Sequence, residues 1–367
     1  MNFRLLPLAA VAALCPLATA QAQSVTLYGV LDAAVEHLSN VGTDSHSDNR
    51  MPNLAGSVPS RLGLRGSEDL GGGLSAVFTI EQGFGVDGGS LNQGGRVWGR
   101  QAFVGLKGNW GQASLGRQYS MLFYSLLDAD TLGPNLFGSG SLDSYLPNDR
   151  LDNSLAYKGS FGGLTVGATY SLGRDTVSAG SPSGTGCAGE DGTAACREWS
   201  VLLKYDTSTW GVAAANDQFH GGAGSWAAAG LTSADKTDRR STLNGWFKYQ
   251  DLKLSAGVID RRNEGSAATP RSQLWFVGGA YPLTPAFTVD GELFKLKYRD
   301  SPNGAKMLAL RGTYSLSKRT AVYATAGRLV NDGTLALSVS NGDPTGEVKP
   351  GAGESQNGFA LGLRHSF

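Results

Sequence analysis

From residue 24 onward the chain falls into segments of about ten residues in which apolar and polar side chains alternate, and the connections between segments alternate in length. In the first segment Val25, Leu27, Leu31 and Val35 share one face, and Thr26, Tyr28, Asp32 and Glu36 share the other. Leu164, Val166, Ala168, Tyr170 and Leu172 alternate in the same way with Thr165, Gly167, Thr169 and Ser171, and Leu308, Leu310 and Tyr314 with Met307, Arg311 and Thr313. A soluble sandwich would alternate too, so the connections decide. Short turns fall at 68–73, 109–111, 161–163, 207–211, around 251, at 284–286 and at 317–318. Longer loops occupy 42–60, 87–95, 121–149, 174–198, 221–239, 265–271, 301–305 and 332–357. Seven turns and eight loops join sixteen strands, an even number that returns both ends to one side and lets the last strand close on the first. The expected fold is all-β: a sixteen-stranded antiparallel transmembrane β-barrel with short periplasmic turns and long extracellular loops. Sixteen strands leave a water-filled lumen, whereas eight fill themselves with side chains.

The start of the chain sets the compartment. Residues 1–22 carry Arg4, an apolar run from Leu5 to Ala18 and a small-residue ending at Ala20-Gln21-Ala22, the pattern of a Sec signal peptide cleaved before Gln23. That assigns 1–22 to the leader and 23–367 to an exported barrel with the layout of an outer-membrane protein. The run is too short for a spanning helix, and no other apolar stretch reaches the roughly 18 to 20 residues required. With 53 glycines and 17% charged residues, the chain is too Gly-rich for a helical protein, and 41% hydrophobic content excludes a disordered one. Lys and Arg number 31 against 31 Asp and Glu, so loss of Arg4 leaves −1, without the basic excess of a nucleic-acid partner.

One loop is unlike its surroundings. Residues 121–149 are punctuated by Gly, Asp and Pro, read as briefly helical at 125–129, and carry Leu122, Phe123, Leu126, Leu132, Leu136, Phe137, Tyr145 and Leu146. A loop this long and this apolar must be buried. The expectation is that this third extracellular loop folds into the bore and narrows it. Trp110 and Trp210 lie beside short turns, and Trp98 and Trp199 lie near the opposite strand ends, at headgroup level. Residues 358–367 read as the closing strand, with Phe359, Leu361, Leu363, His365 and Phe367 on one face.

Several stretches make the resemblance specific: SVTLYGVLDAAVE from Ser24, SRLGLRGSEDLGGGLSAVFTIEQGF from Ser60, GRQAFVGLKGNWGQASLGRQY from Gly99, NSLAY from Asn153 and the ending LGLRHSF. The sequence resembles the general, non-specific trimeric porins of Gram-negative outer membranes, nearest their β-proteobacterial branch, over essentially the whole mature chain. The resemblance implies a homotrimer in contact with lipid and lipopolysaccharide, passive diffusion of ions and small hydrophilic solutes, and an inward third loop. It also implies that Phe367 is a signal to the barrel-assembly machinery.

A channel selects with fixed charges at its narrowest point. Arg61 alternates with Leu62 and Leu64, so it shares the lumen face with Gly63 and Arg65. Arg100 and Arg150 match the basic cluster of the porin constriction, and Glu81, interrupting an apolar strand, resembles its acidic partner. Asp128, Asp130 and Asp143 on the inward loop are candidates for the opposing acidic side. Enteric porins read Pro-Glu-Phe-Gly-Gly at the loop tip, whereas this chain reads GPNLFGSG with Asn135 after Pro134. The loss of that acid leaves the arginines less opposed and favours weak anion selectivity.

Cys187 and Cys196 lie in one loop of an exported chain without an accompanying His cluster, which reads as a disulfide and not as a metal site. No cofactor is expected. An outer-membrane hydrolase would need one of His37, His46, His220 and His365, and neither Gly-x-Ser-x-Gly nor HExxH occurs. An inert anchor would need no inward loop. A sugar-specific porin would line its bore with a row of aromatics, which cannot be traced. Small residues near both ends, Gly29, Ala33, Ala360 and Gly362, suit a wall packed against a neighbouring subunit.

Overall fold

The apolar faces of the alternating segments turn outward and the polar faces turn inward, the reverse of a soluble sheet. Val25, Leu27, Leu155, Leu203, Leu243, Val277, Leu293 and Leu361 are exposed, while Asp32, Glu36, Glu81, Glu198, Asp217 and Arg240 are buried inside. An exposed apolar band with a polar interior has its free-energy minimum in a bilayer. The computed structural model describes residues 24–54, 56–174, 177, 186–187, 189–190, 192–222, 230–342 and 346–367. The leader expected at 1–22 lies outside the described residues.

In chain order the strands are β1 (Ser24–Val41), β2 (His46–Arg50), β3 (Arg61–Gly71), β4 (Leu74–Gly83), β5 (Gln101–Gly108), β6 (Gly111–Tyr119), β7 (Arg150–Phe161), β8 (Leu164–Ser171) and β9 (Glu198–Asp206). They continue as β10 (Trp210–His220), β11 (Thr237–Tyr249), β12 (Leu252–Asn263), β13 (Arg271–Thr284), β14 (Phe287–Tyr298), β15 (Gly304–Ser315), β16 (Thr320–Asp332) and β17 (Ser355–Ser366). Strand β2 is a short addition within the first long loop, paired to β1 from Glu36↔Arg50 to Val41↔His46. The other sixteen form the barrel, each antiparallel to its neighbour, and β17 closes on β1 from Val30↔Ser366 to Leu38↔Gly358. The seven short turns stand where the pattern places them, although the first is tighter than 68–73, because β3 continues to Gly71 and the turn is left to glycines with positive φ.

The third long loop lies inside the barrel. Its helix α1 (Met121–Leu126) begins four residues before the expected 125–129, because Ser120 caps it: the Ser120 hydroxyl accepts from Phe123 N–H at 3.2 Å. Leu122, Leu126, Leu132, Leu136, Phe137, Leu142 and Tyr145 join one apolar cluster with Ile259, Leu274, Phe276, Phe294, Leu296, Met307 and Leu329. The last seven are inward-facing residues of β12 to β16, so one side of the bore wall is apolar where the loop covers it. That burial replaces the water the loop would otherwise order.

Candidate functional site

On the side of the bore away from that apolar seat, three arginines converge. Arg61 at the start of β3, Arg100 just before β5 and Arg150 at the start of β7 stand at the loop ends of their strands. Arg100 Nε is 2.6 Å from Glu81 Oε1 and its Nη2 donates to Tyr119 Oη at 2.8 Å. Arg61 Nε is 3.6 Å from Glu81 Oε2, which also accepts from Tyr28 Oη at 2.9 Å. Arg150 donates to Tyr119 Oη at 3.3 Å, lies over its ring, and pairs with Asp149 at 2.6 Å. Tyr119 thus bridges two guanidinium groups and is itself stacked on Phe123 of α1 at 4.0 Å.

These arginines face a cavity of about 890 Å3 between wall and loop. Arg311, Arg364 and Lys349 reach the same cavity from other directions. Arg311 pairs with Asp290, and Arg364 donates to Ser57 Oγ at 3.3 Å. Among the described residues the cavity lining therefore has six cationic side chains against three carboxylates, Glu81, Asp130 and Asp149. Arg65 shares the inward face of Arg61 but stands four residues on, about 13 Å nearer the short turns, exposed and over the Tyr28 ring.

The loop carboxylates are spread over separate contacts. Asp128 pairs with Lys204 on β9. Asp130 borders the cavity, yet its oxygens accept from Gly133 N–H at 2.9 Å, Ser139 Oγ at 2.6 Å and Tyr145 Oη at 2.8 Å, folding the loop on itself. Burial pushes the Asp130 carboxyl above its usual value, and those donors only partly offset it. Asp143 is held on the far wall by Arg261 at 2.5 Å and Arg240 at 3.3 Å. Burial alone would raise the Asp143 carboxyl, but the two guanidinium groups outweigh it and hold it below the usual range.

Other bonds tie the loop all round the bore. Met121 N–H donates to Ser200 Oγ at 2.8 Å, Leu132 N–H to Glu292 Oε2 at 2.9 Å, and Ser141 Oγ to the Val339 carbonyl at 2.7 Å. Asn135, where the enteric pattern has Glu, donates to the Ser57 and Leu132 carbonyls at 2.8 Å each. A carboxylate there could make neither bond.

Arg311, Arg364 and Lys349 escaped the sequence reading. The signal for Arg311 was present in its alternation with Leu308 and Leu310, but only ring closure brings β15 and β17 round to face the loop tip. Cys187 and Cys196 form a disulfide, with sulfurs packed near Phe219 of β10 and Leu231 of the loop that follows it. The four histidines bond separately, to Asn49, Asp44, Ala234 and Thr320, and Asp217 bonds Asn148, not His220. Among the described residues no cluster of metal-ligating side chains occurs.

Comparison with known proteins agrees with this architecture. The family model for the Gram-negative porin matches residues 8–365. Outer membrane porin protein 32 of Delftia acidovorans is 31% identical, covering 98% of this chain and 99% of its own length. An outer membrane porin protein of Bordetella pertussis is 31% identical over 72% of this chain and 68% of its own. Among solved structures, the anion-selective porin from Comamonas acidovorans superposes with a TM-score of 0.76 at 24% identity, covering 94% of this chain and all of that one. The trimer form of OmpT from Vibrio cholerae gives 0.63 at 17% identity, with 94% and 100% covered.

Proposed function

Because this chain belongs to the Gram-negative porin family and is an outer-membrane β-barrel, we propose that it is a water-filled channel for passive diffusion of ions and small hydrophilic solutes, weakly anion-selective. The family is one of channels, not enzymes. The observation that carries the selectivity is the unequal lining of the cavity, six cationic groups against three carboxylates among the described residues. Arg61, Arg100 and Arg150 are the basic side of the filter and Glu81 its counter-charge. Arg65 is a second basic step toward the periplasm. Asp130 limits the positive field, whereas Asp128 and Asp143 act by seating the loop. The neighbour from Comamonas acidovorans is named for the same sign of preference. The test is the zero-current potential of bilayer-inserted protein across a potassium chloride gradient. A chloride-preferring potential is expected, and a cation-preferring one overturns the selectivity.

The same reading includes a homotrimer. Gly29 and Ala33 lie on the outward face of β1, where Ala33, Val35, Gly312, Ala324 and Leu361 border an apolar groove. Ala360 and Gly362 face inward and drop out of that argument, since a Cβ on Gly362 would meet the Tyr323 ring. The rest of the outer wall meets lipid and lipopolysaccharide, and β17 with Phe367 is the segment read by the assembly machinery. Cross-linking in mild detergent is expected to yield a trimer, and a conducting species that stays monomeric overturns this part.

A further inference from the structure

Between the inward loop and the short turns, the bore wall carries a second basic group that takes no part in the constriction. Lys107 on β5, Lys158 on β7, Lys204 on β9, Lys248 on β11 and Lys253 on β12 all project inward. Lys158 Nζ lies 3.7 Å from the Tyr124 ring of α1 and within electrostatic reach of Lys107 and Lys204. Lys248 and Lys253 are direct cross-strand partners, and their amines sit 5.3 and 5.8 Å from the Trp246 ring. Like charges set opposite each other oppose strand pairing. Of the five, only Lys204 has carboxylate partners, Asp128 and, at 2.9 Å, Asp206. Among the described residues the other four ammonium groups make no hydrogen bond or ion pair, and three of them, Lys158, Lys248 and Lys253, make ring contacts instead.

We propose that this lysine arc is a binding site for linear polyphosphate anions, reached from the short-turn side of the channel. Lysine meets phosphate as a flexible point charge, without the fork geometry by which arginine selects carboxylates. Four of the five stand on alternate strands, so successive amines are set about 10 Å apart along the wall. A single small anion can bridge few of them, whereas an extended chain of phosphates can lie along the arc and engage several at once. Such an anion also relieves the repulsion between Lys248 and Lys253. The rings of Tyr124 and Trp246 hold the amines by cation–π contact while the site is empty. Asp206, which accepts from Trp246 Nε1 at 3.1 Å, fixes the ring that Lys248 and Lys253 flank.

Titration calorimetry of the detergent-solubilised protein with sodium tripolyphosphate, and separately with monophosphate, tests the site without requiring conduction. Tripolyphosphate is expected to bind at least about tenfold tighter than monophosphate at low salt, and the Lys158→Gln/Lys253→Gln double variant to weaken it about tenfold. Arg61→Ala should leave this affinity within about twofold, because Arg61 stands at the long-loop end of β3, whereas the lysines stand near the short-turn ends of their strands. In bilayers, tripolyphosphate added on the short-turn side should interrupt the current at lower concentration than on the long-loop side. Equal affinity for the two anions, a lysine variant that binds as wild type, or block that follows Arg61 and not the lysines would each overturn the proposal.

Discussion

Arg261 Nη1 stands 2.5 Å from Asp143 Oδ2, joining β12 to the descending limb of the inward loop across 118 residues of sequence. Arg240, fully buried, closes on the same carboxylate at 3.3 Å, and Tyr298 Oη adds a third donor at 3.3 Å. This joint and the apolar seat on β12 to β16 hold the loop across the bore. Removing Asp143 takes away the carboxylate that links these two guanidinium groups to the loop, while Asp238, 3.0 Å from Arg240 and 2.7 Å from Arg261, still neutralises them, a loss of about 2 kcal/mol. Asp143→Ala should therefore lower the denaturation midpoint and raise single-channel current noise. Unchanged noise would mean that the apolar seat alone fixes the loop.

The same joint has a defined pH dependence. A carboxyl held below its unfolded value of 3.8 contributes stability above that pH and loses it as pH falls through the folded value. The loop should stay seated from pH 7 down to about 4 and loosen only in stronger acid. Asp143→Asn should be noisy at every pH, with no acid-dependent step. Current noise recorded against pH for the two proteins checks this, and a wild-type step near pH 6 would point to another group.

At the filter, Glu81 is the group whose removal has a clear sign. It is shared by Arg100 at 2.6 Å and Arg61 at 3.6 Å. In a wet bore a unit charge about 4 Å from a passing ion is worth about 1 kcal/mol, up to about fivefold in permeability. Glu81→Gln should raise the anion preference and Arg61→Ala reduce it, with both effects shrinking as salt screens the field. Zero-current potentials at two ionic strengths measure this. Shifts of the same sign for both variants would show that these residues do not set the field at the ion's path.

What the sequence made legible was whatever repeats with period two. Val25, Leu27 and Leu31 on one face and Asp32 and Glu36 on the other already place wall and lumen, and turn lengths already order the strands. Asp143 and Asp128 were recognisable as inward-loop carboxylates, but their partners Arg261 and Lys204 come from strands far along the chain. No local pattern encodes which wall a loop leans on. The seat itself was visible only in part: Ile259, Leu274, Phe276 and Phe294 break the polar rule for lumen positions, and that breach marks where the loop lands. The helix begins four residues earlier than expected because the Ser120 hydroxyl accepts from Phe123 N–H and so sets the first turn.

The Cys187–Cys196 disulfide closes a segment of sequence separation 9 and packs against Phe219 and Leu231. Closing so short a loop is worth about 2.5 kcal/mol of chain entropy in the unfolded state. A Cys187→Ser/Cys196→Ser variant should be cleaved sooner by protease added to the long-loop side while keeping its conductance, because neither sulfur borders the constriction cavity. Thiol labelling of unreduced, denatured mature protein should find neither cysteine free. A large change in conductance would instead tie this loop to the permeation path.

The last residue closes the ring. Gly29 N–H donates to the Phe367 carbonyl at 3.2 Å, and Phe367 N–H to the Gly29 carbonyl at 3.1 Å. The phenyl ring lies over the bare Cα of Gly29: a Cβ there would stand 2.3 Å from Phe367 Cζ and 2.8 Å from the Arg61 carbonyl oxygen. The ring could swing away, but the carbonyl belongs to the β1–β3 ladder and cannot. Gly29→Val should therefore strain the seam by about 1–3 kcal/mol, lowering the temperature at which the folded band is lost on unheated gels. Phe367→Ala removes the ring and leaves the backbone pair, so the folded barrel should melt closer to wild type while its yield in the outer membrane falls. If Phe367→Ala melts as low as Gly29→Val but assembles normally in cells, the ring serves packing at the seam and not recognition during assembly.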